Sequence, residues 1–416
     1  MKAITEITFT SEQEGNVATL DAINGLLDHV VLVDEDEESR QVFVNNIQQN
    51  FPINANFDIK NSLEVINQFN EMEDNKVDFI LGVNDIANID FPDIRDTNRP
   101  FLPPFPLKFD LLDEQHDQSN IEKILSVYNA KKKFLNSFYA LDYFTDFALK
   151  HDEKAIVLDN IDNLNTNTSV QNTKMKFRFI SHDENWYLRS LVSPKAYKTF
   201  DNSTVMYIAL SKISEFSTKT GITFQITQAF ISDSKMELRF EEIEATEIKK
   251  GIYLKAGISV ENSELGDGAV SFIFNYDVHN NNNNIFTVQH AVLAKINHGH
   301  LAETISKELS DINNFMDKRT EIIDLLKEIK WSKKMTKKSR AFKAIYRNIK
   351  AIAAQTISKP ITEDLLLAID PEILFKNAVN LIDVMGKLNE VVEQQSREIQ
   401  KIIEYRLDSL IPKLRD

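Results

Sequence analysis

The chain contains no cysteine, and of its 416 residues only 10 are glycine and 10 are proline. The absence of cysteine excludes disulfides, cysteine-ligated zinc sites, iron–sulfur clusters and thiol nucleophiles. No apolar run approaches the roughly 18–20 residues of a membrane-spanning helix, and residues 1–15 lack the apolar centre of a secretory signal. We therefore expect a cytoplasmic protein with no membrane partner.

Several enzyme motifs are also missing. The sequence has no G-x-x-x-x-G-K-[ST] loop, no G-x-G-x-x-G after a strand, no H-E-x-x-H and no G-x-S-x-G. Carboxylates are abundant, with 63 Asp and Glu against 48 Lys and Arg, so no acid–base pair stands out. These absences favour a non-enzymatic protein without a cofactor.

The composition, 42% hydrophobic and 27% charged, is that of a folded protein with two or three domains. A proline cluster between Pro92 and Pro106, a polar stretch at 158–174 and the asparagine run at 280–284 interrupt regular patterns. These breaks divide the chain into four parts. We predict a small α/β domain (1–90), a Pro-rich connector with a helical segment (91–174), a central α+β core (175–300) and a helical C-terminal region (301–416).

In the first part, apolar runs at 29–33 and 76–83 predict buried strands, and 39–51 and 62–72 have helical spacing. Residues 107–157 are predicted to be mostly helical, whereas the Asn- and Thr-rich residues 158–174 favour turns.

In the central part, apolar and polar residues alternate as they do in β-strands. Strands are predicted at 175–180, 222–231, 235–243, 251–262 and 269–278. One helix interrupts them, with Asp201 or Asn202 at its start and Gly221 at its end. The whole pattern predicts an α+β fold with a mostly antiparallel central sheet.

The last part is helical throughout, with apolar residues near a 4–3 spacing. One such seam contains Ile305, Leu309, Ile312 and Leu326, and a second runs through Leu388, Val392, Ile403 and Leu410. Two such stretches can pack as an antiparallel hairpin or mediate self-association, and the hairpin is favoured.

Two polar blocks in the central part carry a family resemblance. The first contains Arg189, Ser193, Tyr197, Asp201 and Asn202, and the second contains Asn262, Ser263, Glu264, Gly266 and Gly268. In this order they resemble the phage/plasmid-like protein family, a domain of unknown function, over about residues 177–305. The family's usual Cys-Asn-Gly element is replaced by asparagines. The resemblance implies a gene of a phage, plasmid or other mobile element and no established reaction.

The second block also has the composition of a turn between two strands. Asn and Ser side chains bond nearby backbone groups, and glycine accepts a positive φ. We favour this turn role over contact with a ligand, with Glu264 exposed.

A basic stretch runs from Lys330 to Lys350 without an acidic residue. Its nine cations are Lys330, Lys333, Lys334, Lys337, Lys338, Arg340, Lys343, Arg347 and Lys350. Trp331, Phe342 and Tyr346 are interleaved with them. Such local charge can hold a phosphate backbone even in a chain of formal net charge −15. A solvated helix face, or docking on an acidic segment, explains the same pattern.

Three further features are candidate sites. Arg189 and Lys198 lie near Trp186, which predicts a small basic–aromatic cluster that could contact nucleic acid. A histidine trio (His290, His298 and His300) lacks a recognised metal spacing, so structural or surface roles are favoured over a metal site. The acidic residues 34–36 follow a predicted strand, as in a response-regulator receiver domain, but no aspartate ends the strand at 76–83.

We therefore predict a non-enzymatic protein of a mobile element that binds nucleic acid, single-stranded DNA included, during replication or recombination in a bacterial host. The nine cations, with Arg189 and Lys198, would contact phosphates. The alternative is a structural or assembly protein that self-associates through its helical C-terminal region and complementary charged patches. A phosphate-handling enzyme that uses residues 34–36 is a third class.

Overall fold

The computed structural model describes residues 3–31, 37–72, 75–95, 99–112, 123–198, 200–281, 283–353, 358–376 and 379–415. The strands are β1 (Glu6–Thr10), β2 (Asn75–Leu81), β3 (Ile86–Asp90), β4 (Lys108–Leu111), β5 (Ile124–Ser126), β6 (Met175–His182), β7 (Asn185–Val192), β8 (Phe224–Ser232), β9 (Lys235–Glu242), β10 (Thr246–Lys249), β11 (Ile252–Ser263), β12 (Val270–Asn280) and β13 (Asn283–Ile296).

The helices are α1 (Leu20–Gly25), α2 (Glu37–Asn50), α3 (Ser62–Glu71), α4 (Ala130–Tyr139), α5 (Asp142–Lys150), α6 (Lys154–Asn165), α7 (Thr168–Gln171), α8 (Asn202–Thr220), α9 (Ala302–Glu308), α10 (Phe315–Glu328), α11 (Arg340–Ala353), α12 (Lys359–Ala368), α13 (Pro371–Leu374), α14 (Leu381–Glu393) and α15 (Arg397–Asp408).

The strands form two sheets. The large sheet has seven strands in the order β1-β8-β9-β11-β12-β13, with β10 beside β11, and its paired strands run antiparallel. The small sheet has six strands in the order β2-β6-β7-β5-β4-β3, antiparallel except for the parallel pair β5–β7. The predicted α+β class, with a mostly antiparallel central sheet and helices at both ends, is confirmed.

Strands from the first 90 residues complete both sheets. β1 pairs with β8, where Glu6 lies opposite Ser232, and β2 pairs with β6, where Asn75 lies opposite Ser181. The first three parts of the sequence therefore share sheets through hydrogen bonds, since β4 and β5 of the second part also pair with β3 and β7.

Period-2 alternation explains the large sheet. In β9, Met236, Leu238 and Phe240 are buried in the same apolar core as the residues of α8, and the intervening charged residues point to the opposite face. The helix α8 begins at Asn202 and ends before Gly221, whose φ of 74° suits glycine. The strands and helix predicted for the central part are all present.

Aromatic residues join the helices of the second part to the small sheet. The ring centroid of Phe134 on α4 lies 6.2 Å from that of Phe177 on β6 and 6.4 Å from that of Phe109 on β4. This part also contributes the short strands β4 and β5, although the sequence pattern predicted mostly helix.

Two local predictions need correction. Residues 158–174 contain the end of α6 and all of α7, because Val157, Ile161 and Val170 are buried against the small-sheet core. The predicted strand 29–33 is not formed by its described residues. His29 ends a 3-10 helix in which Leu26 and Leu27 are buried. Residues 30–31 are irregular, and residues 32–33 lie outside the described residues.

The C-terminal region is helical, but its helices are shorter than the seams. Ile305, Leu309, Ile312 and Leu326 are buried within the chain. A charged side of α15 is tied to the large sheet, because Lys401 lies 2.7 Å from Glu237 and 2.9 Å from Glu261.

Candidate nucleic-acid interface

The basic stretch lies on the molecular surface, and the side chains of all nine cations are exposed. We call these nine residues the basic surface: Lys330, Lys333, Lys334, Lys337, Lys338, Arg340, Lys343, Arg347 and Lys350.

Four of the nine cations of the basic surface belong to α11. Arg340, Lys343 and Arg347 follow a helical spacing that places them, with Lys350, on one face over about 15 Å. The opposite face carries Phe342, Ile345 and Ile349, which are buried. The helix α11 therefore presents its cationic face to solvent, because its apolar face packs against the rest of the chain.

The other five cations lie on the segment before α11. Backbone hydrogen bonds hold this segment at both of its ends. The backbone N–H of Met335 donates to the carbonyl of Val379 over 2.8 Å, and that of Leu381 donates to Trp331 over 3.3 Å. Near α11, the N–H of Thr336 donates to Ser339 Oγ over 2.9 Å. These bonds fix the backbone from which the five lysines project.

Two of the three interleaved aromatic residues are structural, whereas Tyr346 is half-buried beside Lys350. Trp331 is buried, stacks on Phe286 at 6.1 Å and donates its indole N–H to the carbonyl of Leu326. Phe342 is buried edge-on against Phe375. The sequence pattern suited base stacking, but these two rings are not available to bases.

Two concavities lie along the basic surface. The first, which we call the pocket, has a volume of about 200 Å³ and is lined by Lys330, Lys333, Lys334, Met335, Ser339, Arg340, Ala341, Leu381 and Leu414. The second, which we call the groove, has a volume of about 470 Å³ and is lined by Lys334, Met335, Thr336, Lys337, Lys338, Phe375 and Lys376. Lys334 and Met335 belong to both, so the two concavities are adjacent.

Few carboxylates neutralise this surface. Lys337 pairs with the exposed Glu372. Within the described part of the chain, Lys333, Lys334, Lys338 and Arg347 have no carboxylate partner. Their charges therefore face solvent.

The two other predicted phosphate contacts have different positions. Lys198 is exposed. Arg189 is 0% exposed and pairs with Glu264. Arg189 therefore does not reach a nucleic acid at the surface, because its charge is already neutralised inside the protein.

The two motif blocks meet inside the molecule. Glu264 Oε1 accepts from the backbone N–H of Asn202 over 2.8 Å, at the start of α8. Asn262 Nδ2 donates to Asn202 Oδ1 over 3.0 Å. Glu264, predicted to be exposed, is 1% exposed, since its carboxylate caps the helix and pairs with Arg189.

Arg178 completes this cluster. It donates Nε to Asp78 over 3.0 Å, Nη2 to Asp201 over 2.7 Å and Nη1 to the carbonyl of Glu264 over 2.8 Å. Asp201 stands at the predicted cap of α8, but its carboxylate binds Arg178 instead of a helix N–H. Lys76 lies 3.3 Å from Glu264.

We call Lys76, Asp78, Arg178, Arg189, Asp201 and Glu264 the buried junction. Burial alone would raise the pKa of Glu264, but the charges of Lys76, Arg189 and Arg178 lower it to about 2. The carboxylate is therefore ionised throughout the neutral range. The sequence reasoning missed Asp78 and Arg178, although a charged residue inside each of two apolar strands was visible, and the two lie opposite each other across β2 and β6.

Of the remaining motif residues, Ser263, Gly266 and Gly268 lie at the turn between β11 and β12, whereas Ser193 and Tyr197 follow β7. Ser263 Oγ donates to Asp267 Oδ1 over 2.6 Å. Gly266 has a φ of +68°, and a Cβ there would lie 2.5 Å from Val192 Cγ1. Gly268 is exposed beside this turn, and Ser193 Oγ accepts from the N–H of Ala196 over 3.3 Å. Tyr197 donates its phenol group toward the carbonyl of Glu264.

The three histidines have three different partners. His290 Nδ1 lies 2.6 Å from Asp408, and His300 Nδ1 lies 2.9 Å from Glu308. His298 stacks on Tyr197 with ring centroids 4.8 Å apart, and burial followed by the charge of Arg178 lowers the pKa of His298 to about 4. His298 and His300 lie in a turn after β13, not on a strand. In the described ranges, no three His, Asp or Glu side chains are placed to hold a metal ion.

The acidic residues 34–36 lie outside the described residues. Comparisons with protein-family models, with curated proteins and with solved structures found no match to this chain. None of the described helices combines the length and apolar character needed to cross a bilayer.

Proposed function

We propose that this chain binds the phosphate backbone of nucleic acid through the basic surface and catalyses no reaction on it. The observation that carries the proposal is the exposure of all nine cations between Lys330 and Lys350 on a backbone fixed by packing. Because the backbone is already fixed, binding orders only the side chains, and the bound cations release counterions from the nucleic acid.

The burial of Trp331 and Phe342 favours contacts with phosphates over contacts with bases. Phosphate contacts fix position but carry no sequence information. We therefore expect sequence-independent binding with a strong salt dependence. If all nine cations contacted phosphates, the log–log slope of affinity against salt would be about −8 for a duplex and about −6 for a single strand.

The resemblance of the motif blocks to the phage/plasmid-like family supplies the expected setting. Replication or recombination of a mobile element in the cytoplasm of a bacterial host exposes single-stranded DNA, which is the form we would test first. This setting remains a prediction.

The test is the anisotropy of labelled single-stranded and duplex DNA over a salt series. Lys333, Lys334, Lys337 and Lys338 are changed together to Glu, and we expect affinity to fall at least about a hundredfold. Unchanged affinity of this variant, or no binding by the unaltered protein at low salt, would overturn the proposal.

The control variant changes Lys150, Lys219, Lys235 and Lys250 to Glu. All four are exposed and outside the basic surface, so the net charge changes by the same amount. An equal loss of affinity in both variants would mean that overall charge, and not this surface, determines binding.

Self-association through the helical C-terminal region is the alternative. The seam residues are largely buried within the chain, but Leu367, Ile373 and Tyr405 remain about 60% exposed, at 61%, 59% and 65%. Sedimentation at two salt concentrations separates the two functions. An oligomer without nucleic acid that dissociates in salt supports the alternative.

A further inference from the structure

The pocket differs from the rest of the basic surface because cations converge on a concave site. Lys330, Lys333, Lys334 and Arg340 line it, and no described carboxylate does. On the inner side, the lining residues Leu381 and Leu414 are buried. A negative group that enters from solvent would therefore meet cations at the rim and an apolar floor below.

The volume of the pocket limits what it can hold. About 200 Å³ corresponds to about seven water molecules and is smaller than the 300–1,000 Å³ typical of small-molecule sites. It accommodates a phosphate group with part of its sugar, but not a whole nucleotide with its base. The adjoining groove, about 470 Å³ in volume, extends away from it along further lysines.

The closed floor of the pocket suits the end of a strand better than an internal phosphate. An internal phosphodiester must continue on both sides, whereas the buried floor offers no exit. A terminal phosphate also carries about −1.5 to −2 charges near neutral pH instead of one, which suits the three converging lysines Lys330, Lys333 and Lys334. The start of α11 at Arg340 adds a favourable helix dipole.

We propose that the pocket binds the terminal phosphate of a nucleic-acid strand and that the groove holds the phosphates that follow it. This inference rests on the proposed function and specifies which part of a strand the basic surface recognises. The shared ligand chemistry is a phosphate monoester, at either the 5′ or the 3′ end.

The experiment compares single-stranded oligonucleotides of one sequence that end in a 5′-phosphate, a 3′-phosphate or hydroxyl groups only. Anisotropy is measured with the full chain at fixed salt. We expect one phosphorylated end to bind about tenfold more tightly than the hydroxyl-ended strand, and the preferred end to identify the source of the phosphate.

Two variants locate the preference. Changing Lys330 and Lys333 to Gln should abolish the tenfold ratio while hydroxyl-ended DNA still binds. Changing Lys337 and Lys338 to Gln should weaken all three oligonucleotides and keep the ratio.

If the unaltered protein binds the three oligonucleotides clearly and with equal affinity, the end-recognition proposal is overturned. The proposal of nucleic-acid binding then still stands. A ratio that survives the Lys330 and Lys333 changes also overturns it. Absence of binding to every oligonucleotide overturns both proposals.

Discussion

The buried junction and the basic surface both concentrate charge, but they do so under opposite conditions. In the buried junction, Arg178 and Arg189 are 0% exposed, and each is matched by carboxylates. On the basic surface, cations such as Lys334 and Arg347 remain in water without a carboxylate partner among the described residues. Buried charges are tolerated only when paired, whereas hydrated cations can exchange counterions for phosphates. Burial, not the number of charges, separates a structural cluster from a binding surface.

Removing one charge from the buried junction should have the largest effect. Glu264→Gln leaves Arg189 without its carboxylate in a buried site. We expect the free energy of unfolding to fall by about 3–5 kcal/mol, measured by urea denaturation. Glu303→Gln is the control, since Glu303 forms an exposed pair with Lys307 and should cost at most about 0.5 kcal/mol. Equal losses for the two variants would contradict the comparison.

The same variant should change the pH dependence of stability. The pKa of Glu264 is lowered to about 2 from 4.5, so its contribution is present above about pH 4.5 and is lost as pH falls toward 2. Glu264→Gln should flatten the acid limb of a plot of unfolding free energy against pH. An acid limb of unchanged steepness would argue that other carboxylates dominate it.

A change of shape in the turn that follows Glu264 should have a smaller effect. Gly266→Ala places a Cβ at a positive φ and 2.5 Å from Val192 Cγ1, and we expect a loss of about 1–3 kcal/mol. Gly386→Ala is the matched control, because it lies in α14 with nothing within 4 Å of a new Cβ. That change should stabilise by about 0.5–1 kcal/mol. Thermal denaturation of both variants tests the difference in sign.

Neutralising the basic surface should have the smallest effect on stability. Lys343→Gln with Arg347→Gln should shift the free energy of unfolding by no more than about 0.5 kcal/mol. The log–log salt slope of DNA binding should become shallower by about 1–2. A large loss of stability would show that these side chains support the fold.

Periodicity predicted much of this fold, and contacts between distant segments account for what it did not. Five strands of the central part (β6, β8, β9, β11 and β12) follow from alternation, and the end of α8 follows from Gly221, whereas β7, β10 and β13 were not predicted. The cap of α8 does not follow from either signal, because the carboxylate that accepts the N–H of Asn202 comes from Glu264, 62 positions away. Arg178 and Asp78 are 100 positions apart, so neither could be paired from local sequence.

The candidate site divides in the same way. On α11 the cations lie opposite an apolar face, and this pattern predicts that they are exposed. The structure places these cations, and the five that precede α11, at the surface. Arg189 looked similar in sequence, beside Trp186 and Lys198, but it lies within an apolar strand. The asparagine-rich residues near 160 resembled a loop, yet the burial of Ile161 holds them in a helix.

The pairing of β1 with β8 has a consequence for synthesis of the chain. Ile4, next to β1, hydrogen-bonds Asp233, which is 229 positions away. At translation rates of about 5–20 residues per second, roughly 10–45 s separate the synthesis of these two positions. During that interval the first strand emerges without its neighbour, with a row of unpaired amide groups. Ribosome-bound chains that stop before residue 224 should therefore bind chaperones through residues 6–10, and chains that continue past β9 should release them.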